Sequence, residues 1–173
     1  MLSEINNDAP DKSRPPCLDD LLLICEQLNQ RQARYIVVGG IAIFQQGLAR
    51  LTEDIDLLVD ADPDNVEKVV DALKCMPDRA SGEVNSDDVL NYTVVRINDE
   101  ITIDLMGSAC GVDYDKAKPM INWKEIRGVR IPFASPELLW ITKQTHREKD
   151  ALDRAFLRRW FEERGRKPPG EEE

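Results

Sequence analysis

The sequence has a single histidine, His146, and four cysteines, Cys17, Cys25, Cys75 and Cys110, none of them in a C-x-x-C spacing. That scarcity argues against a sulfur or imidazole zinc centre and against a dense disulfide framework. Reduced thiols in a cytoplasm are the expected state. Aromatic residues are few, at 6%. Trp123, Trp140 and Trp160 are read as core or interface side chains rather than base-stacking platforms, and His146 as a surface or packing residue rather than a catalyst. Long apolar runs are missing too. The "LLLI" of residues 21–24 is far too short to span a bilayer, so no membrane is expected. The opening "MLSEINNDAPDKSRPP" is polar and is not expected to be a signal peptide. No internal repeat is present.

What is there suits one soluble domain: 173 residues, 42% hydrophobic and 32% charged. Acids outnumber bases, for a net charge of −10. Such a body repels a polyanion and argues against broad coating of nucleic acid. The charge is uneven, however. Residues 143–167 hold nine Lys/Arg against five Asp/Glu, which leaves a local RNA contact open. Proline and charge concentrate at both ends. We expect a flexible segment over 1–16, a domain over 17–164 and a disordered acidic tail over 165–173.

Periodicity supplies the elements. Leu18, Leu21, Leu22, Cys25 and Leu28 have helical spacing. Tyr35–Val38 is a short β-branched run that ends at Gly39-Gly40, and a helix is expected just after the glycines. Residues 54–59 read as a strand. Residues 62–76 read as a helix, with Asp62 as N-cap and Pro63 at the first position. Two β-rich runs around Asn98-Asp99-Glu100 suggest a hairpin, and "RGVRIPFAS" adds a short strand. Ser135-Pro136 opens a further helix. "REKDALDRAFLRRWFEERG" continues as helix, with Leu152, Phe156 and Trp160 on its apolar side. Alternating strands and helices followed by a hairpin predict an α/β (α+β) fold, a mixed sheet flanked by helices with a C-terminal helical segment.

The chemistry gathers around "DID" at 54–56. On a strand, Asp54 and Asp56 point the same way, while Ile55, Leu57 and Val59 point into the core. Two adjacent carboxylates repel unless a cation lies between them, and a hard divalent cation prefers oxygen ligands. In "ITIDLM", Thr102 and Asp104 share one face. If that strand lies beside 54–59, Asp104 becomes a third acid, and three carboxylates can hold two metal ions about 3.5–4 Å apart. Glycines between a strand and a helix let backbone N–H groups approach a phosphate. Each motif has a plainer reading. A lone D-x-D is most often a solvated edge, and a Gly-Gly most often a tight turn. Lys143, Arg147, Asp150 and Arg154 are placed on one helical face, where a salt-bridged surface explains them as well as phosphate contact does. On that plainer reading, Asp150 and Asp153 cap the helix or pair with Lys149 and Arg154.

Taken together, Val38-Gly39-Gly40, thirteen intervening residues, Asp54-Ile55-Asp56 and then Asp104 resemble the signature of the polymerase-β-like nucleotidyltransferase superfamily. The wording "RLTEDIDL" is closest to small bacterial members related to AbiEii-type abortive-infection toxins and minimal nucleotidyltransferases. Lys143 and "REKDALD" are similar to a late basic-acidic pattern in many of them. The resemblance spans roughly residues 18–161. It implies transfer of a nucleoside monophosphate from an NTP such as ATP. It also implies roles: Gly39 and Gly40 cradle the triphosphate, Asp54 and Asp56 ligate Mg²⁺ or Mn²⁺, and Asp104 ligates the metal at the attacking hydroxyl and serves as its base. Lys143 and Arg147 reach the β/γ-phosphates. Arg50 and Thr52 orient the acids or contact phosphate. The acceptor is left open among tRNA, a protein hydroxyl and a small molecule, and an antitoxin is an expected partner if the toxin likeness holds. Two other classes compete: a non-catalytic nucleotide-binding or regulatory module on the same fold, and a metal-dependent nuclease, which has no need of Gly39-Gly40.

Overall fold

The computed structural model describes residues 13–171. The elements are α1 (Leu18–Gln30), β1 (Tyr35–Val38), α2 (Gly39–Gln45), β2 (Asp54–Val59), α3 (Pro63–Leu73), the single-turn α4 (Asp88–Asn91), β3 (Val95–Asn98), β4 (Thr102–Met106), β5 (Ser108–Ala109), β6 (Val112–Asp113), α5 (Tyr114–Ala117), β7 (Ile121–Ile126), β8 (Val129–Ala134), α6 (Pro136–Thr142) and α7 (Glu148–Glu162). Six strands form one mixed sheet in the order β3-β4-β2-β1-β8-β7, and β5 and β6 make a separate two-stranded ribbon. The expected mixed sheet flanked by helices is the fold observed.

β1 is buried at all four positions, as a central strand covered on both faces must be. It pairs antiparallel with β2 and parallel with β8. β2 pairs in parallel with β4, and β4 continues antiparallel to β3. α1 packs on α3 and β8, α2 lies against β1 and β2, and α6 meets α2 and α7. Asp62 caps α3 by accepting from the Asp64 N–H, with Pro63 at the first position, and Ser135 caps α6 in the same manner.

The differences from the sequence reading have physical causes. β7 was not expected. Its residues 122–125 are exposed along the sheet edge, so no apolar alternation marks it. It joins β8 through Arg127-Gly128, both at positive φ, the mark of a type I′ hairpin. α6 and α7 are separate helices, because the chain leaves helix over residues 143–147. Lys143 and Arg147 therefore do not share the helical face on which the sequence reading placed them. The buried face of α7 is Asp150, Asp153, Leu157 and Phe161, while Leu152 is 67% exposed. The apolar spacing misled because this helix turns two aspartates inward.

The ends are tied down where they are described. Ser13 donates to the Asp99 carbonyl, and Arg14 forks onto Asp20 at 2.7 and 2.8 Å, which holds the Asp20 carboxyl down at about 2. At the other end, the Trp140 indole donates to the Pro169 carbonyl, Arg158 forks onto Glu171, and Arg166 pairs with Glu137. The tail expected to be disordered is thus laid against α6 and α7 as far as Glu171. Residues 1–12 of the expected flexible segment, and 172–173 of the tail, lie outside the described residues.

Candidate active site

Strands β1 to β5, the start of α2 and the loops before β2 and α7 build one cleft of about 580 Å³. Its floor is set by register. In the parallel β2–β4 pair, Asp56 stands beside Asp104 and Asp54 beside Thr102. Strand alternation then sends all three carboxylates to one face. One oxygen from each of Asp54, Asp56 and Asp104 lies within 4.8 Å of the others. Among the described residues, no other three His, Cys, Asp or Glu side chains gather in this way.

The glycines close against these acids. β1 ends at Val38, which pairs with Asp56, so the next residue is delivered to the Asp56 carboxylate. Gly39 has φ +67°, and a Cβ there would stand 2.0 Å from Asp56 Oδ2. Only glycine meets both conditions. A Cβ on Gly40 would stand 3.0 Å from the Arg50 guanidinium and 3.2 Å from the Thr52 hydroxyl. The second glycine therefore lets the loop before β2 fold down onto the start of α2.

The acids are short of partners. Burial pushes the Asp56 carboxyl up to about 7, with Asp54 and Asp104 adding to the shift and Lys143 and Arg147 opposing it. Asp54 is raised as well, by burial first and then by Asp104. Among the described residues, nothing donates a hydrogen bond to Asp56. Crowded carboxylates with converging oxygens are a fitting donor set for a hard divalent cation. One positive group is already present. Arg96 on β3 stands opposite Asp104 and forks onto both of its oxygens at 2.9 and 2.8 Å, and it also reaches Asp54 at 3.4 Å.

A second cluster forms the basic wall. Asp153 is fully buried, with the Lys143 ammonium at 2.9 Å and the Arg50 guanidinium at 3.2 Å, neither aligned as a hydrogen bond. Asp150 accepts from Lys143 at 3.1 Å, from Arg147 at 3.1 Å and from the Thr145 hydroxyl. Burial alone would raise the Asp150 carboxyl, but these partners outweigh it and hold it below the usual range. The expected pairing of these two acids with Lys149 and Arg154 is not what forms. Lys149 approaches Glu53 at 3.7 Å instead, and Arg154 donates to the carbonyls of Lys143 and Thr145.

Gly39, Gly40, Arg50, Thr52, Asp54, Asp56, Asp104, Lys143 and Arg147 all line this cleft. Their availability differs. Lys143 is held between two acids, whereas the Arg147 side chain is 77% exposed. Arg96 was overlooked, although it could have been found: counting back across the Asn98-Asp99-Glu100 hairpin places it opposite Asp104. His146, read as a surface or packing residue, is exposed.

No protein-family model matches the sequence, and no curated protein matches it. Solved structures do. A candidate nucleotidyltransferase from Thermotoga maritima superposes with a TM-score of 0.51 at 18% identity, covering 84% of this chain and 92% of that one. The lincosamide antibiotic adenylyltransferase LnuA, with lincomycin bound, superposes with a TM-score of 0.52 at 15% identity, covering 83% and 98%. This chain has the nucleotidyltransferase fold. In that fold the cleft lies over β2 and β4 and is roofed from one side by the loop between α6 and α7. The β5–β6 turn closes one end, where Cys110 Sγ comes within 3.4 Å of the Thr142 carbonyl.

Proposed function

We propose that this protein is a metal-dependent nucleotidyltransferase that moves a nucleoside monophosphate from an NTP to a hydroxyl acceptor. The observation that carries this reading is the convergence of Asp54, Asp56 and Asp104 in a nucleotidyltransferase fold, with Gly39 pressed against Asp56. Mg²⁺ or Mn²⁺ bound to the three acids would offset the charge that develops on the phosphates and lower the pKa of the attacking hydroxyl. Gly39 and Gly40 let the triphosphate approach the backbone at the start of α2. Arg147 and Lys149, both largely exposed at the rim, meet its outer phosphates. Lys143 and Arg50 stand behind them, fixed by Asp153, and add positive charge without leaving the wall. Thr52 stands beside Gly40 in the loop before β2. The acceptor oxygen attacks the α-phosphorus, the bond from that phosphorus to the β-bridging oxygen breaks, and pyrophosphate leaves. Asp104 receives the hydroxyl proton.

The acceptor is a hydroxyl on a tRNA end, a protein or a small molecule. LnuA, a lincosamide antibiotic adenylyltransferase with lincomycin bound, supports a small molecule among these. The "RLTEDIDL" wording supports the finer reading of an AbiEii-type toxin held in check by an antitoxin in a bacterial cytoplasm. The four free cysteines agree with a reducing compartment, and no described helix is long and apolar enough to cross a membrane.

The test is calorimetric titration of ATP, GTP, CTP and UTP with Mg²⁺ or Mn²⁺, comparing wild type with Asp54→Asn/Asp56→Asn. Metal-dependent binding of one or more nucleotides, lost in the variant, is the expected result. A folded wild type that binds none of them removes the transferase reading in favour of a non-catalytic module.

A further inference from the structure

The guanidinium of Arg96 occupies the place where a cation is needed. It forks onto both oxygens of Asp104, at 2.9 and 2.8 Å, and its outer nitrogen reaches Asp54 at 3.4 Å. It therefore bridges two of the three carboxylates whose oxygens converge within 4.8 Å. A forked guanidinium uses the same carboxylate lone pairs that a metal would use. Asp104 cannot give both oxygens to Arg96 and also serve a cation at the triad. Nor does the fold force the contact. The Arg96 side chain is 54% exposed and lies on the edge strand β3, so it has open space to move into. The remaining acid, Asp56, receives no hydrogen bond from any described residue.

We propose that Arg96 is a displaceable counter-cation of the triad, which holds Asp104 while the site is empty of metal and yields it on metal loading. This rests on the reading of the triad as a metal site and adds the residue that regulates its filling. Two consequences follow from charge alone. In the metal-free protein, Arg96 relieves the repulsion between Asp54 and Asp104. On loading it becomes a competitor, because the metal must break its two short contacts and tolerate a positive neighbour. Arg96 thus raises the metal concentration at which the site fills. Arg96 itself lines the cleft, so its charge, once released, is free for an anionic ligand there.

The test is Mn²⁺ titration of the metal-free full chain, followed by calorimetry and by thermal unfolding in chelator and in saturating Mn²⁺. Wild type is compared with Arg96→Met, Arg96→Lys and Asp104→Asn. Arg96→Met is expected to bind Mn²⁺ roughly three- to tenfold more tightly, the scale of a partly exposed forked ion pair. Arg96→Lys, which keeps the charge and loses the fork, is expected to fall between. The unfolding data separate this role from simple support of the fold. Arg96→Met should melt below wild type in chelator, and the gap should close in saturating Mn²⁺. Equal or weaker Mn²⁺ binding by Arg96→Met, or an unchanged melting gap with and without metal, overturns the proposal. Should Arg96→Met fail to fold, Arg96→Lys carries the same comparison. Wild-type binding of Mn²⁺ that Asp104→Asn does not weaken overturns the metal site itself, and the Arg96 proposal with it. Binding weakened by Asp104→Asn yet indifferent to Arg96 removes the Arg96 proposal alone.

Discussion

Gly39 meets two demands at once, and its neighbour meets only one. Its φ of +67° is costly for any residue with a Cβ, and that Cβ would stand 2.0 Å from Asp56 Oδ2. Gly39→Ala is therefore expected to displace Asp56, lower the melting temperature by several degrees and abolish metal-dependent nucleotide binding. Gly40→Ala meets only the ends of the Arg50 and Thr52 side chains, at 3.0–3.3 Å. These can shift, so a loss of binding of about tenfold or less is expected, in a stably folded protein. Thermal scans with nucleotide titrations of both variants give the comparison. Asp56 supplies the pH dependence. Its carboxyl, raised to about 7 in the folded protein, takes up protons that the unfolded chain releases near pH 4. Its contribution to stability is therefore present at low pH and lost as pH rises through about 7. In chelator, Asp56→Asn should melt above wild type at pH 8, and the advantage should shrink toward pH 5. For the same reason, wild-type Mn²⁺ affinity should increase as pH rises through 7, because the metal must displace that proton. The opposing trend, tighter binding at pH 6 than at pH 8, would rule out Asp56 as a ligand.

At the scale of elements, the sheet that bears the acids was legible and the helical wall was not. β2 and β4 announce themselves because Ile55, Leu57, Ile103 and Leu105 alternate with polar neighbours, and that alternation fixes where Asp54, Asp56 and Asp104 point. Asp104 was placed by the same rule, once the two strands are adjacent. The wall escaped because its logic is ionic. Asp150 and Asp153 occupy buried positions of α7 that periodicity reserves for apolar residues. Their partners arrive from Arg50, which is distant in sequence, and from the irregular loop between α6 and α7, which no helical periodicity describes. Such a network makes a strong prediction. Asp153→Ala leaves Lys143 and Arg50 facing each other without their shared carboxylate, and should cost about 3 kcal/mol or more in denaturant unfolding. It should also weaken nucleotide binding without changing metal affinity at the triad. Asp153→Asn, which keeps the shape, should cost less. A loss below about 1 kcal/mol in Asp153→Ala would mean that the buried network adds little to stability.

For the molecule as a whole, charge and chain ends act together. The net charge of −10 keeps nonspecific polyanion binding weak, yet bases concentrate at the C-terminal end. Several are already committed there. Arg158 pairs with Glu171 and stacks over Trp140, Arg166 pairs with Glu137, and Arg164 stacks 3.9 Å above the Trp160 ring. Much of the basic character read from the sequence is thus neutralised within the fold. Composition could not show this, because it counts charges and not their partners. Deleting residues 166–173 should lower the melting temperature by about 2–4 °C for each kcal/mol of lost contacts, and should leave metal binding at the triad intact. Unchanged melting would mean that the tail contacts contribute nothing.

The parallel pairing of β2 with β4 also governs when the site can exist. Asp54 and Asp56 are synthesised early, but their third partner waits until residues 60–101 have emerged and folded across the sheet. The basic wall waits longer still, for α7. A growing chain, or one broken off before β4, therefore carries two of the acids and none of the assembled chemistry, because long-range strand pairing comes late in folding. On the transferase reading proposed above, that order is a safeguard written into topology: the triad is incomplete until β4 has paired with β2.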